Sequence, residues 1–240
     1  MTDVIKSKPN DLTINKPNRQ DVGSDIDAFV QRSRAIQSTN RAQGQRGRLI
    51  FGLDATASRQ DVWDTAMQLQ GEMFEEVPSL LDIQLVYYRG LGECRASDWV
   101  SDGGRLANLM SKITCRAGAT QIGKILAHAR EEAKAKPACK PTLVFIGDAM
   151  EENIDKLAVM AAELGQVGCK AFMFQEGTDK DVETAFREIA RLSGGAYCRF
   201  DASAPHQLAQ LLRAVAAFTV GGVKALEAKP GAIKLLQQLR

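Results

Sequence analysis

Three short stretches hold the side chains best suited to chemistry: Asp54-Ala-Thr56-Ala-Ser58, Gly118-Ala-Thr120 and Gly147-Asp148. Together they supply two carboxylates and three hydroxyls. Hard oxygen donors of this kind suit one small divalent cation, Mg²⁺ first and Mn²⁺ as a substitute, held so that water positions stay open. In an extended segment, alternate residues point the same way, so Asp54, Thr56 and Ser58 would face one point. Each residue also has a plainer reading. Ser58 or Thr56, Thr120 and Asp148 are all good helix N-caps, and any one of them alone would be read that way. What favours an ion is the set, in this order and at these places.

Those places follow from hydrophobic patterning. Leu49–Leu53 and Thr142–Ile146 are apolar, β-branched runs that read as buried parallel strands ending just before Asp54 and Asp148. Strands are expected over 48–53, 83–88, 142–147, 170–174 and 196–200, with a short extended piece over 94–100. Helical spacing appears over 60–76, 104–113, 121–136, 152–166, 180–193 and 205–219. Alternation of this kind implies an α/β, Rossmann-like, doubly wound fold. Its six-stranded sheet is mostly parallel, with helices on both faces. The link Gly90–Gly92 is too short for a crossover helix, so the third strand should be a short antiparallel edge. Loops at the carboxyl ends of parallel strands converge, which would bring the three stretches to one rim.

Composition is that of an ordinary globular protein, 45% hydrophobic and 25% charged. The net charge of +2 is unevenly spread. Residues 1–48 carry nine Lys/Arg against five Asp (+4) and residues 219–240 four against one (+3), which leaves 2 − 7 = −5 for 49–218. An acidic body argues against a nucleic-acid-binding core. Residues 1–24, rich in Asn and charge with little to bury, read as a disordered arm. Residues 25–47 read as a short helix and linker, 48–220 as the folded domain and 221–240 as a helical tail broken by Pro230-Gly231. Five widely spaced cysteines without a Cys-x-x-Cys imply neither a disulfide framework nor a zinc site. No signal-peptide h-region opens the chain, and no apolar run approaches the roughly 20 residues that span a bilayer. The expectation is a cytoplasmic protein without a membrane partner.

Asp54-x-Thr56-x-Ser58, Gly118-Ala-Thr120-Gln-Ile-Gly123 and Ile146-Gly-Asp148 resemble the three motif segments of the von Willebrand factor A (VWA) domain family, of a bacterial intracellular type. The likeness covers about residues 48–220. It implies a metal-ion-dependent adhesion site (MIDAS), with Ser58, Thr56 and Thr120 on Mg²⁺ and Asp54 and Asp148 ligating it or holding its waters. The open position would take an Asp or Glu from a partner protein, because mostly neutral donors leave the ion under-neutralised. The implied role is a non-catalytic binding module or adaptor. An AAA+ ATPase or another large complex is its partner by analogy. Two departures stand out: Thr56 where Ser is usual, and no Gly after Asp148, which leaves Glu151 or Glu152 able to turn into the open position.

Two enzymes share parts of this pattern. Gly118–Lys124 has the glycine and lysine spacing of a P-loop, but Ile125 stands where a hydroxyl must hold Mg²⁺, and no buried strand precedes it. A haloacid-dehalogenase-type phosphatase would use Asp54 as nucleophile, with Gly147-Asp148 at a later strand end, but lacks its second carboxylate and a well-placed lysine. Lys140 is its sole candidate. A scaffold with a vestigial metal site is the third alternative. Other residues take structural defaults: His128 and His206 on the surface, Trp63 and Trp99 in packing, Lys124 in solvent. Arg89 is expected as edge decoration, and Asp98 and Asp102 in a loop bordering the site.

Overall fold

The computed structural model describes residues 46–59, 81–200 and 205–227, with side chains over 208–221 in the last segment. Among these residues the strands are β1 (Gly47–Asp54), β2 (Leu81–Arg89), β3 (Glu93–Ala96), β4 (Thr142–Gly147), β5 (Ala171–Glu176) and β6 (Ala196–Phe200). They form one sheet in the order β3-β2-β1-β4-β5-β6. Every neighbouring pair is parallel except β2 and β3, whose register pairs Tyr88 with Cys94 and Arg89 with Glu93. The doubly wound sheet with one antiparallel edge is thus as the alternation and the short Gly90–Gly92 link require. An isolated antiparallel bridge, Ile83 to Val100, extends that edge toward the amino end of β2.

The helices are α1 (Gly103–Met110), α2 (Ile122–Ala135), α3 (Ile154–Gln166), α4 (Lys180–Ser193) and α5 (Pro205–Glu227). Side chains alternate across a strand, so the strands split their apolar residues between two cores. Leu49, Phe51, Leu53, Val144, Ile146, Phe172 and Phe174 pack with α1 and α5 through Leu106, Met110, Leu211, Leu212 and Val215. Ile50, Leu143, Phe145 and Met173 pack on the opposite face with α2, α3 and α4 through Ile125, Leu126, Leu157, Phe186 and Ile189. Burial on both faces explains why β1, β4 and β5 are apolar runs without polar alternation.

Several boundaries differ from the sequence reading for local reasons. Helix α3 begins at Ile154, because Asn153 caps it by accepting the Lys156 N–H, and Glu151 and Glu152 stay in the preceding loop. Helix α5 runs on to Glu227 without a break at 219. The antiparallel strand carries the chain back to the amino end of the sheet, where Ser101 bonds Asp82 at the start of β2. The loop holding Asp98 and Asp102 therefore lies at the rim opposite the strand ends that carry Asp54 and Asp148, and Asp102 serves as the N-cap of α1. His128 is half-buried, its Nε2 2.8 Å from Gln84 Oε1, and is not a surface residue. Trp99 does pack, with the Arg48 guanidinium 3.8 Å above its ring. The arm 1–24, the helix 25–37, most of the linker, the helix 60–76 with Trp63, the end of the tail and the His206 side chain fall outside the described residues.

Candidate metal centre at the switch point

The sheet changes direction at β1: its continuation in sequence, β2, lies on one side and β4 on the other. Crevices outside the carboxyl ends of strands at such a point are where α/β folds bind ligands. Asp54 closes β1 and Asp148 follows β4, so the two predicted carboxylates flank that crevice. Gly147 permits their approach. A Cβ there would meet the Phe145 ring at 2.9 Å and stand 3.5 Å from the Asp54 Cβ.

Asp54 is fully buried. Its Oδ1 accepts the Thr56 N–H at 2.8 Å and its Oδ2 accepts the Tyr88 hydroxyl at 2.9 Å. Burial raises its pKa above the ordinary 3.8; bonds from Thr56 and Tyr88 oppose that rise, and the nearby Asp148 charge adds to it. Tyr88 is held well above its ordinary value by burial and by Asp54, so it stays a hydrogen-bond donor. Asp148 Oδ1 is buried and has no hydrogen-bond partner among the described residues. Two carboxylates therefore lie close together, one of them with an oxygen unpartnered among the described residues, an arrangement that a bound cation would stabilise.

Two of the hydroxyls follow Asp54 in the chain, and the third meets the loop that follows Asp148. Thr56 is buried, Ser58 is exposed in a 3₁₀ turn (Ala57–Arg59), and their hydroxyl oxygens are 3.1 Å apart. Thr120 is 6% exposed and its Oγ1 accepts the Glu151 N–H at 2.9 Å, which leaves one lone pair of the hydroxyl for another partner. In return, the Thr120 N–H donates to Glu151 Oε2 at 3.0 Å, tying this residue to the loop after Asp148. Asp54, Thr56, Ser58 and Asp148 are thus joined through direct contacts or charge, and Thr120 through the Glu151 loop. This donor set, two carboxylates with neutral hydroxyls, fits Mg²⁺.

Glu151 and Glu152 act differently from the sequence expectation. Glu152 accepts the Ile122 N–H at 2.5 Å and the Gly123 N–H at 2.9 Å, capping α2, whose own N-cap Gln121 makes no side-chain cap bond. The amides that a P-loop would offer to phosphate are therefore taken by a carboxylate of the same chain, and the segment before them is not a strand. Neither acidic side chain needs the open position to find a partner.

Two contributors had no sequence signal. Arg59, 1% exposed, reaches the main-chain oxygens of Asp54 (3.5 Å) and Ile146 (3.3 Å) through Nη1. Its Nη2 pairs with Glu176 at the end of β5 at 2.8 Å. It ties together the ends of β1, β4 and β5. Nothing in the string Ser-Arg-Gln marks this arginine as buried. Tyr88 was visible only as part of a strand end; its pairing with Asp54 follows from the β1–β2 register, which sets the two opposite each other.

No protein-family model matches the chain, and no curated protein matches it in sequence. Solved structures do match. A von Willebrand factor type A protein from Catenulispora acidiphila superposes with a TM-score of 0.63 at 16% identity, over 74% of this chain and 43% of that one. The VWA domain of SpRpn10 gives 0.54 at 12% identity, over 70% and 94%. The vWF domain of the type V pilus tip protein Mfa5 from Porphyromonas gingivalis gives 0.54 at 10%, over 72% and 96%. At these identities the likeness is one of fold. Over the described residues, this chain has the fold of a VWA domain.

Proposed function

We propose that the chain is a metal-dependent protein–protein recognition module, binding Mg²⁺ at a MIDAS-type site and, through it, an Asp or Glu of a partner protein. The observation that supports this most is the Asp148 Oδ1, unpartnered among the described residues, beside the buried Asp54. When bound, the ion would supply a Lewis-acidic position open to a carboxylate. Ser58, Thr56 and Thr120 are the hydroxyls that would hold it. Asp148 would ligate it or hold its water, and Asp54, with both oxygens already accepting hydrogen bonds, would act through water. The same bonds argue against Asp54 as a phosphatase nucleophile, since an attacking oxygen must reach phosphorus from a solvent-facing position. A cytoplasmic adaptor role, with an AAA+ ATPase or similar assembly as partner, rests on the analogy of the motif alone. Among the described residues no helix is long and apolar enough to cross a membrane.

The test is thermal melting of the full chain with Mg²⁺, Mn²⁺ or EDTA. Saturating metal at a hundred times its Kd stabilises by about 2.7 kcal/mol. The melting temperature should rise with either ion, and Asp148→Ala or Ser58→Ala should remove the rise while folding normally. Melts indifferent to metal would leave the vestigial-scaffold reading in its place. Metal-dependent release of phosphate from a phosphate ester, lost in Asp54→Asn, would install the phosphatase.

A further inference from the structure

The turn between β2 and β3 carries Leu91, which is 95% exposed. It is held up by its neighbours: Gly90 and Gly92 take φ values of 60° and 132°, conformations that other residues adopt poorly. The turn is pinned to the segment entering α2. The Gly90 N–H donates to the Arg116 oxygen (3.4 Å), Gln121 Nε2 to the Gly90 oxygen (3.2 Å), and Lys124 Nζ to the Gly92 oxygen (2.9 Å). Beneath it, Arg89 donates to the Thr114 oxygen at 2.8 Å. The Arg116 N–H in turn donates to the Ala55 oxygen, one residue after Asp54, so this turn shares a rim with the candidate metal centre.

The surroundings of Leu91 are cationic. Glu93 is the hub of Arg89, Arg95 and Arg116, and the bonds from Arg89 and Arg95 lower its pKa to about 2. Arg95 and Arg116 remain mostly exposed, with 69% and 64% of their side chains accessible, and Lys124 is exposed as well. Arg89, Arg95, Arg116 and Lys124 thus gather at one turn of a body whose residues 49–218 sum to −5, with Glu93 among the arginines and the carboxylates of Glu151 and Glu152 turned to the main chain of 120, 122 and 123. A positive patch on an acidic body selects and steers acidic partners, and a raised apolar side chain on a rigid turn offers apolar area that a partner can cover at little ordering cost.

We propose that Leu91 with Arg95, Arg116 and Lys124 forms a preorganised docking platform for an acidic protein segment that offers apolar side chains to Leu91. The platform rests on the recognition role above but not on the metal, so each can fail alone. The probe is a random peptide library panned against the full chain in EDTA and again in Mg²⁺, followed by anisotropy with the recovered peptides. Recovered sequences should be rich in Asp and Glu around large apolar residues. Their affinity should fall about tenfold in Leu91→Ser. A loss of tenfold or more in the double variant Arg95→Ser/Arg116→Ser, and steep weakening with salt, should accompany it. Both variants alter exposed side chains, and unchanged melting temperatures establish that they fold. Recovery of no peptides, of peptides without acidic enrichment, or of peptides indifferent to both variants would overturn the platform, as would tighter binding of a mixed single-stranded oligonucleotide. Binding in EDTA together with metal-indifferent melts would retain the platform and remove the metal reading.

Discussion

An alanine at Gly118 would put its methyl carbon 2.0 Å from the Gly90 carbonyl oxygen, 2.2 Å from that carbon and 2.4 Å from the Gly90 Cα. All three are main-chain atoms, so no side chain can swing aside, and either the turn at Gly90 or the loop before Thr120 must move. Gly118 is not among the described glycines with positive φ, so close approach alone constrains it. Forcing a methyl into a filled contact costs about 1–3 kcal/mol, and reduced freedom of the unfolded chain returns about 0.4–1 kcal/mol. With contacts this short the clash belongs at the upper end, for a net loss of about 2 kcal/mol. Urea unfolding followed by circular dichroism should show a lower midpoint at unchanged slope. The shift should also disturb Thr120, two residues on, so the Mg²⁺-dependent rise in melting temperature should shrink. Gly104→Ala is the matched control. Gly104 is an exposed residue in the first turn of α1, and its new Cβ would meet only Asp102 Oδ1, at 3.4 Å. It should stabilise by about 0.4–1 kcal/mol. Equal or greater stability in Gly118→Ala would refute the argument that this glycine is fixed by the Gly90 backbone.

Three further outcomes follow from the same geometry. Glu176→Gln removes a counter-charge of the buried Arg59 guanidinium and should lower the urea unfolding midpoint, because Arg59 stays charged when its ion pair at the end of β5 is lost. Asp54→Asn keeps an acceptor for the Thr56 N–H but removes one of two apposed charges. The folded Asp54 carboxyl holds its proton at pH values where the unfolded chain has released it, so this group lowers stability as pH rises from its ordinary 3.8 through its raised value. The variant should melt no lower than the parent in EDTA at neutral pH and should lose the response to Mg²⁺. Burial lowers the pKa of His128 below 6.5, so the unfolded chain protonates first and stability falls as pH drops through 6.5. His128→Gln should flatten that slope in melts across the range, and an unchanged slope would assign it to other groups.

Much of the scaffold was legible in the amino-acid string. Apolar runs bounded by turn residues fixed β1 and β4 because strands buried on both faces cannot alternate polar and apolar residues. The short Gly90–Gly92 link made an antiparallel edge unavoidable, and that same strand, by returning the chain to the amino end of the sheet, carried Asp98 and Asp102 away from the rim where they were expected. Local spacing gave the candidate donors Asp54, Thr56, Ser58, Thr120 and Asp148, since each belongs to a short motif at a strand or helix end. It was silent on what surrounds them. Arg59 looks like any arginine after a serine until three strand ends close over it. Glu152 looks like the start of α3 until its carboxylate is seen capping α2, and Tyr88 acquires its role only from the β1–β2 register. Residue types and spacing are properties of the chain and survive without a fold. Burial, hydrogen bonding and register arise between segments distant in sequence, so only the folded sheet could decide that Asp54 has both oxygens bonded while Asp148 Oδ1 has no partner among the described residues.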